Sequence, residues 1–184
     1  MTTTKWVLDP SHSQIQFKIR HLMVSYVTGS FTQFDAFVET HGDDFATAKV
    51  KFTADVNSIS TNNEQRDEHL KNNDFFDAEN YPVLGFESTG LKKVSDDEFE
   101  VHGILTMRGV SKEIVLLAEY GGIMTDPWGN SRTGFSISGK INRKDFGVSF
   151  GLVSETGGVL PGDDVKISAN VEFIKEAKFE TVAA

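Results

Sequence analysis

The chain has 184 residues, with 27 acidic against 18 basic side chains and no cysteine. This length fits one domain with a sizeable core, and the lack of cysteine excludes disulfides, thiolate metal ligands and a cysteine nucleophile. The formal net charge of −9 disfavours binding to nucleic acid or to anionic membrane surfaces.

Phenylalanine is frequent, with 15 residues against 3 tyrosines and 2 tryptophans. Phenylalanine side chains suit a dry interior, which is either a packed core or an apolar cavity. Residues 1–6 contain no apolar segment of the kind that a secretory signal needs. The longest aliphatic run, residues 114–118, is far shorter than the ~20 residues that span a bilayer. We therefore expect a cytoplasmic protein without a membrane span.

Two-residue alternation of apolar and polar side chains is the dominant pattern. Ile15, Phe17 and Ile19, for example, alternate with Gln16 and Lys18. One buried and one wet face is typical of antiparallel sheet, and an even number of such strands tends to close into a barrel, because closure removes exposed edges. The pattern predicts about eight strands, at 13–21, 29–40, 46–56, 83–94, 98–108, 112–121, 132–142 and 164–175.

One segment departs from this alternation. Thr61 followed three residues later by Glu64 has the pattern of a capping box and predicts a short α-helix from about Asn62 to Lys71. So short a helix is not stable alone, so we expect it to dock at the open end of the barrel through Leu70, Phe75 and Phe76.

Arg66 and His69 are three residues apart on this helix and therefore share a face. Both could project over the barrel mouth and contact a polar head group. An ion pair of Arg66 that ties the helix to the barrel rim is an equally good interpretation.

No pattern in the chain points to catalysis, a metal or a cofactor. The five histidines have no metal-ligand spacing. Asp9, His12 and Ser13 are better explained as a hydrogen-bonded turn than as a catalytic triad, because neighbours in a strand point to opposite faces. Gly121-Gly122 is expected to be a turn. We therefore predict no catalytic residue, no metal ligand and no cofactor.

Several stretches, taken in order, resemble the YceI-like family of polyisoprenoid-binding proteins. They are Trp6-Val7-Leu8-Asp9-Pro10-Ser11-His12-Ser13, Gly29-Ser30-Phe31, Arg66-Asp67-Glu68-His69-Leu70-Lys71, Asp74-Phe75-Phe76-Asp77, Gly103-Ile104-Leu105-Thr106-Met107-Arg108-Gly109 and Ile141-Asn142-Arg143-Lys144-Asp145-Phe146-Gly147. The resemblance covers nearly the whole chain, residues 1–184, as one domain.

The resemblance implies an all-β, eight-stranded, lipocalin-like antiparallel barrel with one short α-helix at its mouth. Its elongated apolar tunnel would bind and sequester or carry a long amphiphile, which could be a polyisoprenoid, an isoprenoid quinone or a fatty-acid-like lipid, without chemistry. Many members of the family carry a secretory signal, which we do not expect in this chain. A homodimer is a further expectation, since dimers are the commonest oligomers.

Alternation combined with this resemblance assigns a role to individual residues. We expect Phe75 and Phe76 to form a lid. The expected head-group contacts are Ser13, His21, Arg66 and His69, and the expected tunnel lining is Ile15, Phe17, Ile19, Phe52, Phe86, Phe135, Ile137, Ile167 and Val171.

Two other functions remain open at this stage. An enzyme acting on an apolar substrate in the same cavity would use His12, His21 or His69. A stress-related structural barrel would have a filled interior and no ligand.

Overall fold

Thirteen strands and one α-helix follow one another along residues 2–22, 24–153 and 159–177, the part of the chain that this computed structural model describes. Three short 3-10 turns lie between them, at Pro10–His12, Val56–Ser58 and Arg143–Phe146. The strands and the helix are β1 (Thr3–Leu8), β2 (Gln14–His21), β3 (Ser25–Phe31), β4 (Phe34–His41), β5 (Asp44–Asp55), β6 (Ile59–Ser60), α1 (Glu64–Lys71), β7 (Val83–Lys93), β8 (Glu98–Met107), β9 (Val110–Thr125), β10 (Ser131–Asn142), β11 (Leu152–Val153), β12 (Val159–Leu160) and β13 (Asp164–Lys175).

Eight of these strands form a closed antiparallel barrel. Each is hydrogen-bonded to the next in the order β1, β4, β5, β7, β8, β9, β10 and β13, and β13 pairs back to β1. Closure satisfies the backbone groups that a free edge would expose. The predicted eight-stranded antiparallel barrel with a short helix is confirmed.

The strands of the circuit differ in detail from the predicted segments. β1 lies outside the predicted set, and the predicted strand 29–40 is two strands, β3 and β4, with a bend at residues 32–33. The bend separates two ladders, because β3 pairs with β2 whereas β4 pairs with β1. Alternation within 29–40 cannot reveal this change of partner.

β13 has two successive partners along one edge. Its N-terminal half pairs with β2 and its C-terminal end pairs with β1. At the corner between β1 and β2, the Asp9 amide donates to the Glu172 carbonyl. The Ser13 hydroxyl donates to the Asp9 carbonyl (2.7 Å) and accepts from the Glu172 amide (3.0 Å). These bonds fasten the corner to β13.

Arg132 on β10 joins three segments at the same corner. Its Nη1 donates to Asp9 Oδ2 and to Glu172 Oε1, both at 2.8 Å, and its Nε donates to Asp126 Oδ2 at 2.7 Å. The Arg132 bond holds the pKa of Asp126 at about 2. Hydrogen bonds from the Ser11 side chain and from Arg132 keep the pKa of Asp9 well below its usual range.

The predicted turn at Gly121-Gly122 is wrong. β9 continues through both glycines to Thr125 and stays paired with β10. The register shifts between Thr133 and Phe135, opposite these glycines, and Gly122 has a φ of 87°. The pair is therefore a β-bulge, in which a positive φ favours glycine. The reversal comes later, where Asp126 Oδ1 accepts from the amides of Trp128 and Asn130.

The helix α1 is present, but its predicted capping box is wrong. Asn63, not Thr61, is the N-cap, and its side chain accepts from the Arg66 amide. The Thr61 hydroxyl instead donates to Asp67 Oδ1. Asn62 takes a positive φ of 60°, which places the helix start beyond Thr61. Within the described residues no helix is long and apolar enough to cross a bilayer.

We predict that Arg132→Met lowers the melting temperature by several degrees at pH 7, because three carboxylates lose their shared cation. Lys140→Met on the same strand is the matched control. Lys140 lies 3.7 Å from Asp164 in a pair whose side chains are 63% and 61% exposed, and such pairs contribute little. Equal losses in the two variants, measured by thermal unfolding, would argue against the role given to Arg132.

The same network predicts acid sensitivity. The folded pKa of Asp126 is about 2, below its ordinary 3.8, so its stabilisation is present above about pH 4 and is lost as the pH falls toward 2. Denaturant unfolding between pH 5 and pH 2 should show this fall in the parent chain and a shallower one in Arg132→Met. Parallel pH profiles would contradict the prediction.

Candidate functional site

The inward-facing side chains of the barrel do not fill its interior. They enclose two adjoining chambers of about 140 Å³ and about 430 Å³. The larger volume lies within the range of ordinary small-molecule sites, roughly 300–1,000 Å³. Composition favoured a packed core over a cavity without deciding between them, and the structure contains a cavity.

The inner chamber lies against the closed end of the barrel, and every described residue that lines it is apolar. An aromatic cluster adjoins it: the Phe45 ring lies 5.2 Å from each of the rings of Trp6, Tyr120 and Phe135. Trp6 is fully buried, and its indole Nε1 donates to Thr40 Oγ1 at 3.1 Å. Among the residues that the structure describes, no polar group faces the inner chamber.

The outer, wider chamber lies under α1 and the segment that follows it. Ile15, Phe17 and Ile19 point into it from β2 but remain only half-buried. In a filled core such side chains would lose nearly all of their exposed surface. Their partial exposure fits an interior with open space beside β2.

The two chambers meet where the same five side chains face both of them. These are Ile15, Phe52, Phe86, Leu116 and Ile167. An apolar wall therefore continues from the outer chamber to the closed end, and a long apolar chain could lie against it along the barrel.

Aromatic side chains pack at the mouth of the outer chamber. Phe75 is buried, and its ring lies 5.0 Å from the His69 ring and 5.1 Å from the Phe150 ring. Arg108 Nη1 donates to the Phe75 carbonyl at 2.6 Å, which ties this segment to the β8–β9 turn. Phe76 packs edge-on against Phe31 at 6.1 Å.

Arg66 lines the outer chamber from the first turn of α1. Its Nε donates to Thr61 Oγ1 at 2.7 Å and its Nη2 donates to the Thr61 carbonyl at 2.8 Å. Asp67 Oδ1 accepts from both the amide and the hydroxyl of Thr61. The predicted alternative of an Arg66 ion pair to the rim is wrong for the described residues, because Arg66 bonds there only to neutral oxygens.

His69 lies at the same mouth, with its Nε2 2.8 Å from Asp74 Oδ2. Its ring packs edge-on against both Phe75 and Phe150. His69 is thus held between aromatic rings and a carboxylate.

Arg143 is a lining residue to which we gave no site role from the sequence. It is 3% exposed, and its guanidinium donates to the carbonyls of Val148, Phe150 and Gly162. Burial lowers the pKa of Arg143. Beside the chamber, the Arg143 side chain therefore ties the segment that follows β10 to the segment that precedes β13. The only sequence signal for Arg143 was that it belongs to one of the stretches that resemble the family, Ile141-Asn142-Arg143.

The structure brings most of the predicted site residues together. All nine predicted tunnel residues line one or both chambers, and Phe75, Phe76, His21, Arg66 and His69 line the outer one. Their contact with a ligand stays a prediction. Lining residues that we did not single out include Phe45, Phe99, Leu105, Met107, Ile114 and Phe150. All but Phe150 are on strands, and all of these except Phe45 continue the inward alternation.

Ser13 is the exception. It lines neither chamber, and its hydroxyl is engaged in the corner between β1 and β2. The predicted head-group contact therefore has no support from the position of Ser13. Ser13 comes just before β2, at the opposite end of the strand from His21, which lines the outer chamber. Alternation predicts which side chains point inward, but it cannot tell which end of a strand lies at the barrel mouth.

The residues around Asp9 do not form a triad. Ser11 Oγ and Asp9 Oδ2 lie 3.1 Å and 2.9 Å from the same nitrogen, His12 Nδ1. A triad places the hydroxyl and the carboxylate on opposite ring nitrogens. Asp9, His12 and Glu172 could together approach a metal ion, but Arg132 already holds the two carboxylates.

Comparisons with known proteins agree with this architecture. The family model described as a YceI-like domain matches residues 6–173. The UPF0312 protein SA2479 of Staphylococcus aureus strain N315 is 42% identical over 171 residues, which cover 92% of this chain and 97% of that protein.

Solved structures have the same fold. The YceI protein of Campylobacter jejuni is 33% identical with a TM-score of 0.74, covering 86% of this chain and 90% of that one. BcnA of Burkholderia cenocepacia is 22% identical with a TM-score of 0.78, covering 90% and 98%. A polyisoprenoid binding domain from Saccharophagus degradans is 16% identical with a TM-score of 0.71, covering 93% and 98%.

The match over residues 6–173, together with the 42% identical relative, establishes the family. The chain belongs to the YceI-like family.

Proposed function

We propose that the chain binds a long apolar amphiphile along its two chambers and sequesters or carries it without chemistry. The observation that carries this proposal is the unbroken apolar wall from the mouth to the closed end, joined by the five side chains that face both chambers. Polyisoprenoids, isoprenoid quinones and fatty-acid-like lipids all have the required long apolar tail.

The lining chemistry supports burial of a hydrocarbon tail. Each methylene moved from water into such a wall contributes about 0.8 kcal/mol, so ten methylenes would supply roughly 8 kcal/mol before the entropy cost of binding. No hydrogen bond is needed along the inner chamber, where every lining residue is apolar. Tail length and width would therefore govern selectivity there.

The polar groups of the cavity set the orientation of the ligand. Thr61, just before α1, and Arg66 and His69, on α1, lie at the mouth, whereas no described residue that lines the inner chamber is polar. A polar end buried in the inner chamber would lose its hydrogen bonds to water without replacement. The tail would therefore enter first, with the head group at His21, Arg66 and His69 and with Phe75 and Phe76 as the lid.

Relatives give the proposal its ligand class. The Saccharophagus degradans neighbour is named a polyisoprenoid binding domain, and at 16% identity the shared feature is the fold. We extend the ligand class to this chain because the apolar wall has the matching chemistry.

Inward-facing glycines leave room for the large side chains of the wall. A Cβ added to Gly29 would lie 2.2 Å from Cζ of Phe17, and one added to Gly103 would lie 2.4 Å from Cζ of Phe86. Both rings therefore lie flat over a glycine. A ring that could not do so would have to move toward the chamber or distort the wall.

The first test is extraction. Organic extraction of protein purified without added lipid should release an amphiphile that mass spectrometry detects in a stoichiometric amount. Ile167→Trp should lower that amount or shorten the tail, because Ile167 faces both chambers and indole would fill their junction. Ser168→Trp, at the next residue, places the same bulk on the outer surface of the barrel and should leave the extract unchanged. A clean extract, with no uptake of added prenyl lipid, would refute the proposal.

The second test changes the wall itself. Gly29→Ala should weaken binding of a long prenyl lipid several-fold, because the new methyl displaces the Phe17 ring. The three atoms nearest to the added methyl all belong to that ring, and none belongs to the backbone. Gly90→Ala adds the same methyl where nothing lies within 4 Å and serves as the control. Calorimetric titration of both variants checks the prediction, and unchanged affinity in Gly29→Ala would contradict it.

A further inference from the structure

Among the described residues that line the outer chamber, every ionisable side chain is basic. The whole chain has a net charge of −9, so chance would place acidic groups there more often than basic ones. The basic lining residues are Arg20, His21, Arg66, His69 and Arg143.

Two of these side chains already have anionic partners. His69 Nε2 lies 2.8 Å from Asp74 Oδ2. Arg143 Nη2 lies 3.7 Å from Asp163 Oδ1, and the same guanidinium also donates to several backbone carbonyls. Neither group needs a ligand to balance its charge.

Arg66 differs from both. No carboxylate of the described residues lies within 4 Å of its guanidinium, whose partners there are the two oxygens of Thr61. Thr61 is 4% exposed and is itself held by Asp67, so the Arg66 side chain is fixed in one position before any ligand arrives.

The bonds to Thr61 leave three of the five guanidinium donors available. Nε and the N–H of Nη2 beside it form one edge of the planar group, and both bonds to Thr61 use that edge. The other edge, formed by Nη1 and the second N–H of Nη2, has no acceptor among the described residues. Such an edge matches the two oxygens of a carboxylate or a phosphate.

We propose that the ligand of this barrel is an anionic amphiphile whose carboxylate or phosphate pairs with the open edge of Arg66. This inference rests on the proposed function and narrows its ligand class. A neutral quinone or an alcohol would leave the open edge of Arg66 without an anionic acceptor in a partly buried site. An anion supplies that charge at the place where the apolar wall ends.

The test compares ligands that share a tail and differ in the head group. Tetradecanoic acid is matched with tetradecan-1-ol, and farnesyl monophosphate is matched with farnesol, each titrated calorimetrically at pH 7 into delipidated protein. The acid and the phosphate should bind roughly ten- to hundredfold more tightly than their alcohols, as expected for hydrogen bonds between charged groups. The larger of the two anion-over-alcohol affinity ratios identifies which head group the site prefers.

Arg66→Gln should abolish this preference, so that each anion binds no more tightly than its matched alcohol. Arg66→Lys should keep part of the preference, because the charge remains and the planar edge is lost. Lys112→Gln, at an exposed position of β9 that does not line the chamber, removes the same charge and should behave as the parent chain. The comparison in the parent chain is informative even if Arg66→Gln does not fold.

The outcomes separate the two proposals. Equal affinities for acid and alcohol in the parent chain, or an unchanged preference in Arg66→Gln, would overturn the anionic head group and leave a lipid-binding barrel intact. Failure of all four compounds and of a neutral prenyl quinone to bind would overturn the proposed function as well.

Discussion

The pairing of β13 with β2 and then β1 along a single edge shapes the whole barrel. β13 pairs with β1 at its C-terminal end, which closes the circuit, and with β2 along its N-terminal half. The chain therefore has to turn between β1 and β2, and it does so at Pro10–His12. The corner is held by the backbone of Asp9 and by Ser13, and Arg132 clamps it from β10. The Ser13 hydroxyl and the Asp9 carboxylate, which resemble catalytic groups in the sequence, are therefore used to build the fold.

Closure also determines where space remains. At the closed end, large rings pack around Phe45 beside the inner chamber, whereas two inward positions, Gly29 and Gly103, are glycines over which neighbouring rings lie flat. Packing is therefore dense at one end and open at the other. An eight-stranded barrel has an interior just wide enough for side chains or for one small ligand, and the size of the inward residues decides between the two.

Much of this architecture was predictable from alternation alone. The inward positions of β2, β5, β7, β10 and β13 follow from the two-residue period, which is why all nine predicted tunnel residues line the chambers. The short helix was also predictable as an element, because its sequence breaks the alternation.

Features that depend on distant partners were not predictable. The bond between Arg132 and Asp9 joins residues 123 positions apart, and nothing local to Ser13 shows that its hydroxyl serves that corner. The division of 29–40 into two strands depends on which neighbours each half meets. The N-cap moved from Thr61 to Asn63 because Thr61 bonds to Asp67 and Arg66 instead, a choice between two local patterns that are similar in strength.

The cavity combines an apolar wall with a mouth whose described ionisable lining is basic. The basic mouth is the feature that most clearly distinguishes a binding barrel from a structural one, because a filled core shares the apolar inward residues but has no need of a charged mouth. The most direct measurement is a crystal structure of protein purified without added lipid or detergent. A lipid-binding barrel predicts elongated density that crosses the junction at Leu116 and Ile167 and ends beside Arg66. Side chains repacked into both chambers, with no continuous density, would contradict it.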